Sequence, residues 1–274
     1  MMRFKRPPEP SGFANRVAGN KRTITDTVAI GNAPDFTGRE TWKEFKKDMA
    51  PATFGKCGYC EVDVWAVDRF KGDVEHYRPK GRVDELIFNS DGTYRTKKRF
   101  DRGYHWLAYD WRNYILSCNP CNSAHKKNLF PLEADPGVAP TQGAEIRERP
   151  LLLDPHGRRD PTKHLVFDHL GIVGPRKNSK FGKATIAVCG LDRSALEKKR
   201  RRLAEVVKSN LDVFGNGNTS GAAIDLAIEN LALMGLPDRE HAGMVRAMFT
   251  EATGLPWSFI EAQAPKPEPA FDAG

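Results

Sequence analysis

No apolar run in this 274-residue chain approaches the roughly 18 residues a helix needs to cross a membrane. A membrane-spanning protein is therefore not expected. The opening residues, Met1-Met-Arg-Phe-Lys-Arg, lack the apolar stretch of a secretory leader, so a cytoplasmic location is expected. Cysteine is sparse, with five in all. No internal repeat is visible, which argues against a repeat array. Negative charge is also in deficit. Asp and Glu number 35 against 43 Lys and Arg, a formal net charge of +8, and that excess suits a polyanionic partner. With 39% hydrophobic residues, the chain can bury one large core or two small ones.

The few cysteines are not scattered. Four of the five form two Cys-x-x-Cys pairs, Cys57-Gly-Tyr-Cys60 and Cys118-Asn-Pro-Cys121. Two such pairs can close one tetrahedral zinc site. A disulfide framework is the competing reading. In a reducing compartment, paired cysteines in a chain of this size more often bind metal. Cys189 lies in an apolar Ile-Ala-Val-Cys run and reads as a core residue. Between the pairs stands Glu75-His76, and Asn122 follows the second pair directly. A carboxylate, an imidazole and an amide are what a hard-metal, water-activating site requires. A lone Glu-His is weak, since most such pairs are surface residues; its place between the cysteine pairs gives it weight.

These segments resemble the HNH endonucleases. The resemblance rests on Cys57-Gly-Tyr-Cys60, on Val74-Glu75-His76-Tyr77-Arg78-Pro79-Lys80, on the run from Trp106 through Asn113 and Cys118 to Asn122, and on Lys126-Lys127-Asn128-Leu-Phe130-Pro131-Leu132. It is similar above all to the bacterial subgroup that supplies the nuclease of Septu-type and some retron anti-phage systems. The match is dense from about Cys57 to Leu132 and looser through Leu196. It implies an α+β fold with a ββα-metal core, a four-cysteine structural zinc site and a helical C-terminal region. It also implies that His76 is the general base, Glu75 a metal ligand and Asn113 the middle residue of the signature. Asn122 stands where the last His often stands, which makes this an H-N-N variant. The implied setting is defence against phage, beside an ATPase partner.

The chemistry fits those residue types. A neutral imidazole of ordinary pKa, roughly 6.5, can take a proton from water at pH 7. Oxygen ligands such as Glu75 and Asn122 suit Mg²⁺ or Mn²⁺ better than zinc, and Mg²⁺ keeps several of its waters. Asn113 is expected to hold the loop that carries His76. His125, three residues after Asn122, shares its face if the segment is α-helical and could then reach metal or phosphate. DNA-binding cations are expected at Arg78, Lys80, Lys126 and Lys127. A further basic run from Arg176 to Arg202 holds ten Lys or Arg and two acidic residues, and Lys198, Lys199, Arg200, Arg201 and Arg202 are its densest part. A solvated face is the plainer reading of any one such group.

The expected organisation is a flexible arm over 1–35, a zinc-stabilised nuclease domain over 36–135, a mixed strand and helix region over 136–262, and a disordered Pro-rich tail over 263–274. A short helix is expected from Thr41 to Met49 and another across Tyr104 to Tyr114. A turn is expected at residues 89–92 and a loop over 135–149. Strands are expected near Leu151, Leu165 and Gly171. Helices are expected from an Asp192 cap to Gly215, from Ser220 to Met234 and from Pro237 to Thr253. A metal-dependent endonuclease acting on DNA is the reading these features favour. A non-catalytic zinc-stabilised nucleic-acid-binding module is the main rival, and a nuclease acting on RNA is a third.

Overall fold

A computed structural model describes residues 1–66, 69–89, 93–133 and 141–263. All but the first residue of the tail expected to be disordered, most of the turn over 89–92 and the first part of the loop over 135–149 lie outside the described residues. The chain mixes helices with small two-stranded antiparallel sheets.

The first thirty or so residues depart from the flexible arm expected of them. Phe13–Ala29 is a 17-residue α-helix that buries Phe13, Val17 and Ile24. Those three residues recur at helical spacing, but they are isolated among polar residues, so the stripe is faint in the sequence. Phe13 packs edge-on against Phe45 at 4.9 Å and Trp111 at 5.4 Å between centroids. Ahead of the helix, Met1, Met2 and Phe4 are buried, and Arg6 pairs with Asp154 at 3.0 Å. The segment is held by the body of the protein.

The expected Thr41–Met49 helix is a 3₁₀ turn, Thr41–Phe45, continued by one α-turn, Lys46–Met49. It buries Trp42 and Met49. The centre of the molecule is a pair of antiparallel strands, Gly72–His76 and Tyr114–Cys118, with Glu75 opposite Ile115 and His76 opposite Tyr114. Every residue of Tyr114–Cys118 is buried. The helix expected across Tyr104 to Tyr114 is two short 3₁₀ turns, His105–Leu107 and Trp111–Asn113. Between the central strands, Val83–Phe88 and Tyr94–Phe100 pair as a second, more exposed hairpin. After Cys118 comes a π-helical turn, Pro120–Lys126.

The remaining chain wraps this centre with helices. Lys180–Cys189 packs against the π-turn; the Ser179 hydroxyl caps its start and Gly190, with φ of +56°, ends it. The next helix is Ser194–Gly215, starting two residues later than the expected Asp192 cap, and it buries Leu196, Arg200, Ala204 and Val207. It packs on Gly221–Met234 and on Ala242–Thr253. Leu165–Phe167 pairs with Val173–Pro175, whereas Leu151 to Pro155 forms no strand; Leu152 and Leu153 are simply buried side chains. No described helix is long and apolar enough to cross a membrane.

Candidate active site and metal centre

The four paired cysteines converge. Cys57 and Cys60 flank a tight turn in which the Cys57 N–H donates to the Val62 carbonyl and the Glu61 N–H to the Cys57 carbonyl, both at 2.9 Å. Gly58 sits tightly packed there. A Cβ on it would lie 3.0 Å from Ile115 Cγ2 and 3.1 Å from Pro155 Cγ, while its N–H donates to the Leu116 carbonyl at 2.8 Å. That bond lays the turn against the strand ending in Cys118. The four thiols are buried and joined by no disulfide, and their sulfurs all lie within 4.8 Å of one another. Cys60 and Cys118, 58 positions apart in sequence, have sulfurs 3.6 Å apart. Zinc–sulfur bonds of about 2.3 Å in a tetrahedron place sulfurs roughly 3.8 Å apart. The cluster can therefore hold a metal such as zinc. Arg193 donates to the Cys121 sulfur at 3.5 Å and to the Gly190 carbonyl at 2.8 Å, which ties the cluster to the wrapping helices. The fifth cysteine, Cys189, is fully buried in the core.

Glu75 and His76 end the Gly72–His76 strand, and both are buried, at 5% and 4% exposure. The His76 Nε2 lies 2.9 Å from the Ala108 carbonyl. A carbonyl can only accept, so Nε2 carries the proton and Nδ1 is left as an acceptor. Nδ1 has no hydrogen-bond partner among the described residues. Trp42 and Tyr114 stand edge-on to the ring, at 4.8 Å and 5.2 Å between centroids. Burial, together with the Lys80 ammonium, holds the His76 pKa well below the usual histidine range, so the ring is neutral at pH 7. Burial pushes the Glu75 pKa up, and the Lys126 ammonium opposes that shift.

Asn113 fixes the chain just after His76. Its amide donates to the Arg78 carbonyl at 3.0 Å and the Leu107 carbonyl at 3.1 Å, and its Oδ1 accepts from the Arg78 N–H at 2.8 Å. With both faces of the amide used, Asn113 is placed to orient the loop and has no remaining donor for a ligand.

Glu75, His76 and Asn122 line one cavity of about 260 Å³, which Lys80, Lys127 and Phe36 also border. Its side-chain oxygens come from the Glu75 carboxylate, the Asn122 and Asn128 amides and the Ser123 hydroxyl, with Glu75 the one carboxylate. That sparse, hard set fits a divalent ion that keeps most of its waters, and not a zinc site. His125 does not border this cavity. The Lys127 N–H donates to the Asn122 carbonyl five residues back, at 2.8 Å. In such a π-turn the residue three positions on faces another way. The expectation that His125 shares a face with Asn122 is corrected accordingly: its ring packs on Gly190, where no Cβ would fit.

The expected DNA-binding cations divide sharply. Lys127 is exposed at the cavity, with φ of +47°. Lys80 borders the cavity with its ammonium 4.7 Å from the Trp42 ring centre and 5.5 Å from that of Phe36. Lys126 is fully buried; it pairs with Glu75 and donates to the His76 carbonyl at 2.9 Å. It is not a surface contact, because the π-turn rolls it inward. Arg78 is also corrected. Its guanidinium pairs with Glu148, donates to the Glu145 carbonyl at 3.0 Å and lies 5.0 Å from the ring centres of Tyr104 and Phe130. Among the five cations of the basic helix, Lys198, Lys199, Arg201 and Arg202 are exposed and Arg200 is buried. Arg200 donates to the Leu191 carbonyl at 2.7 Å and packs on Gly171, because it falls on the buried stripe four residues from both Leu196 and Ala204.

Sequence reasoning missed Trp42 and Arg193 as parts of these sites and gave Lys126 to DNA instead of to Glu75. Only the folded chain shows these partners.

No family model matches the chain. The Septu protein PtuB of Bacillus mycoides (strain KBAB4) is 34% identical to it over 223 residues, which cover 76% of this chain and 68% of that protein. Likeness at that level across most of both sequences is inheritance and not the convergence of a single motif: the chain belongs to the family of the Septu protein PtuB.

Proposed function

We propose that this protein is a metal-dependent HNH endonuclease that hydrolyses DNA phosphodiester bonds as part of a Septu-type anti-phage defence. The observation that carries this reading is one cavity bordered by a carboxylate, an amide and a neutral imidazole whose Nδ1 is unbonded. In that reading the paired strands Gly72–His76 and Tyr114–Cys118 and the π-helical turn Pro120–Lys126 would stand for the ββα-metal core. The four cysteines would hold its structural zinc. The PtuB relative supports the defence setting, and an ATPase partner is what the resemblance to Septu-type nucleases implies.

In this mechanism the Nδ1 of His76 takes a proton from water as the water oxygen attacks phosphorus. The bond from phosphorus to the 3′ oxygen then breaks, leaving a 5′ phosphate and a 3′ alkoxide that takes a proton from water to become the hydroxyl, while His76 gives its extra proton back to solvent. Nε2 keeps its proton because the Ala108 carbonyl holds it. Asn113 keeps the ring in place by pinning the Arg78 backbone. Glu75 and Asn122 would hold Mg²⁺ or Mn²⁺, whose charge supports the phosphoryl oxygens and the departing oxygen. The cations Lys80 and Lys127 border the same cavity, where they would meet a phosphate bound beside His76. The deciding experiment is cleavage of plasmid DNA, and of an RNA of similar length, with and without Mg²⁺ or Mn²⁺. Cutting of DNA only when metal is present is expected. Binding without cutting under every metal supports the non-catalytic module instead, and cutting of RNA alone reassigns the substrate.

Two further results are expected of this reading. Glu75→Gln and Asn122→Ala should each raise the Mg²⁺ or Mn²⁺ concentration needed for half-maximal cleavage, since each removes part of a sparse ligand set. An unchanged metal dependence removes that residue from the ligands. Neutralising Lys198, Lys199, Arg201 and Arg202 together, with Arg200 left to hold the core, should weaken DNA binding and flatten its salt dependence. Each lost phosphate contact lowers the log–log slope by about 0.9 on duplex DNA. An unaltered slope would place the DNA path over Lys80 and Lys127 instead.

A further inference from the structure

One buried ammonium joins the two residues on which the proposed chemistry depends. Lys126 is fully buried, its Nζ pairs with Glu75 and donates to the backbone carbonyl of His76 at 2.9 Å, and no other acidic side chain of the described residues pairs with it. The Glu75 carboxylate is thus already neutralised inside the protein, although it borders the cavity where a divalent ion would sit. Lys80 adds a second positive charge at the same cavity. Removing Lys126 would leave a buried carboxylate without its counter-ion, a strongly unfavourable state that any cation able to reach Glu75 would relieve.

We propose that Lys126 is the resident counter-cation of Glu75, so that a divalent ion enters the cavity by competing with an ammonium already in place, and that Lys126 thereby sets the metal affinity of the site. This inference rests on the reading of Glu75 as a metal ligand, and it gives that site a regulator. The affinity for the ion is held down, because the ion must displace a charge-assisted bond that is worth more than a neutral one. Lys126 keeps its bond to the His76 carbonyl throughout, so the strand end stays anchored while Glu75 changes partner. Lys126 is a positioning residue here; it touches neither phosphate nor water in this scheme.

The test reads metal binding directly, in the zinc-loaded full chain, by titrating Mn²⁺ and following the loss of the free-ion signal in electron paramagnetic resonance. Lys126→Met keeps the apolar stem and removes the charge. Competition predicts that this variant binds Mn²⁺ at least about tenfold more tightly than wild type, the change expected when a bond between charged groups no longer has to be displaced. That sign is opposite to what damage to a purely structural lysine would give. Glu75→Gln should abolish the gain when combined with Lys126→Met. A folded Lys126→Met variant with unchanged or weaker Mn²⁺ affinity overturns the proposal, as does a wild type and variant that both fail to bind Mn²⁺.

Stability gives a second readout should Lys126→Met fold poorly. Binding to the native state alone stabilises it by mass action. Mn²⁺ should therefore raise the melting temperature of Lys126→Met by more than that of wild type, and an equal or smaller rise overturns the competition. If even this variant cannot be purified, Lys126→Arg retains the charge and should show no tightening; a tightening there refutes the idea. Failure of the nuclease reading looks different. Wild type that binds Mn²⁺, with tighter binding in Lys126→Met, but cuts no nucleic acid leaves the competition standing and removes the activity.

Discussion

His76→Ala is expected to slow DNA cleavage by about 10²–10⁴-fold while DNA affinity and zinc content stay near wild type. The size of the effect follows from the role proposed for the residue. A general base acts on the proton moved in the transition state and adds little to binding of the substrate. The ring is prepared for that work by its surroundings. The Ala108 carbonyl fixes the proton on Nε2, burial keeps the ring uncharged, and Trp42 and Tyr114 hold its plane. Truncation also removes a buried ring, so the variant should melt at a lower temperature, and cleavage is compared well below that point. Measured rates on plasmid DNA, with zinc content by elemental analysis and DNA affinity by titration, separate the two effects. Full activity in the purified variant would remove His76 as the base.

Cys118→Ser is expected to lose zinc and much of the folded structure together. Structural zinc in small domains binds with apparent free energies of about 10–16 kcal/mol, and where no site exists in the unfolded chain that binding energy becomes folding energy. Cys118 ends the Tyr114–Cys118 strand, whose neighbour across the sheet carries Glu75 and His76. Its sulfur lies beside that of Cys60 in the turn that docks on Leu116. Without the fourth thiolate, nothing of comparable strength joins that turn to the strand. Elemental analysis should find wild type with one zinc per chain and Cys118→Ser with far less, and circular dichroism should show lost structure. A wild type with no zinc, or with disulfides among Cys57, Cys60, Cys118 and Cys121 when kept reduced, defeats the expectation.

The sequence by itself determined what spacing and chemical type can encode. Two Cys-x-x-Cys pairs need only to meet for their sulfurs to form a four-fold cluster, and the pairs do meet. The apolar stripe of the Ser194–Gly215 helix was legible because Leu196, Leu203, Val207, Leu211 and Phe214 recur at the helical period; Leu196 and Val207 are buried and the other three pack partly buried against the core. Glu75, His76 and Asn122 could be singled out by their place around the cysteines, and they do border one cavity.

What only the tertiary structure decided is which way each side chain faces and what it meets. Phe13, Val17 and Ile24 became a core helix because distant Phe45 and Trp111 offered a surface to pack on, and no local pattern reports that surface. Lys126 and Arg200 read as surface cations because charge alone is visible in a sequence. A π-turn rolled the first inward to Glu75, and helical phase set the second on the buried stripe beside Phe167. The same π-turn separated His125 from Asn122. Its hydrogen bonds run five residues back instead of four, and the one extra residue in the turn is enough to change the face on which a side chain emerges.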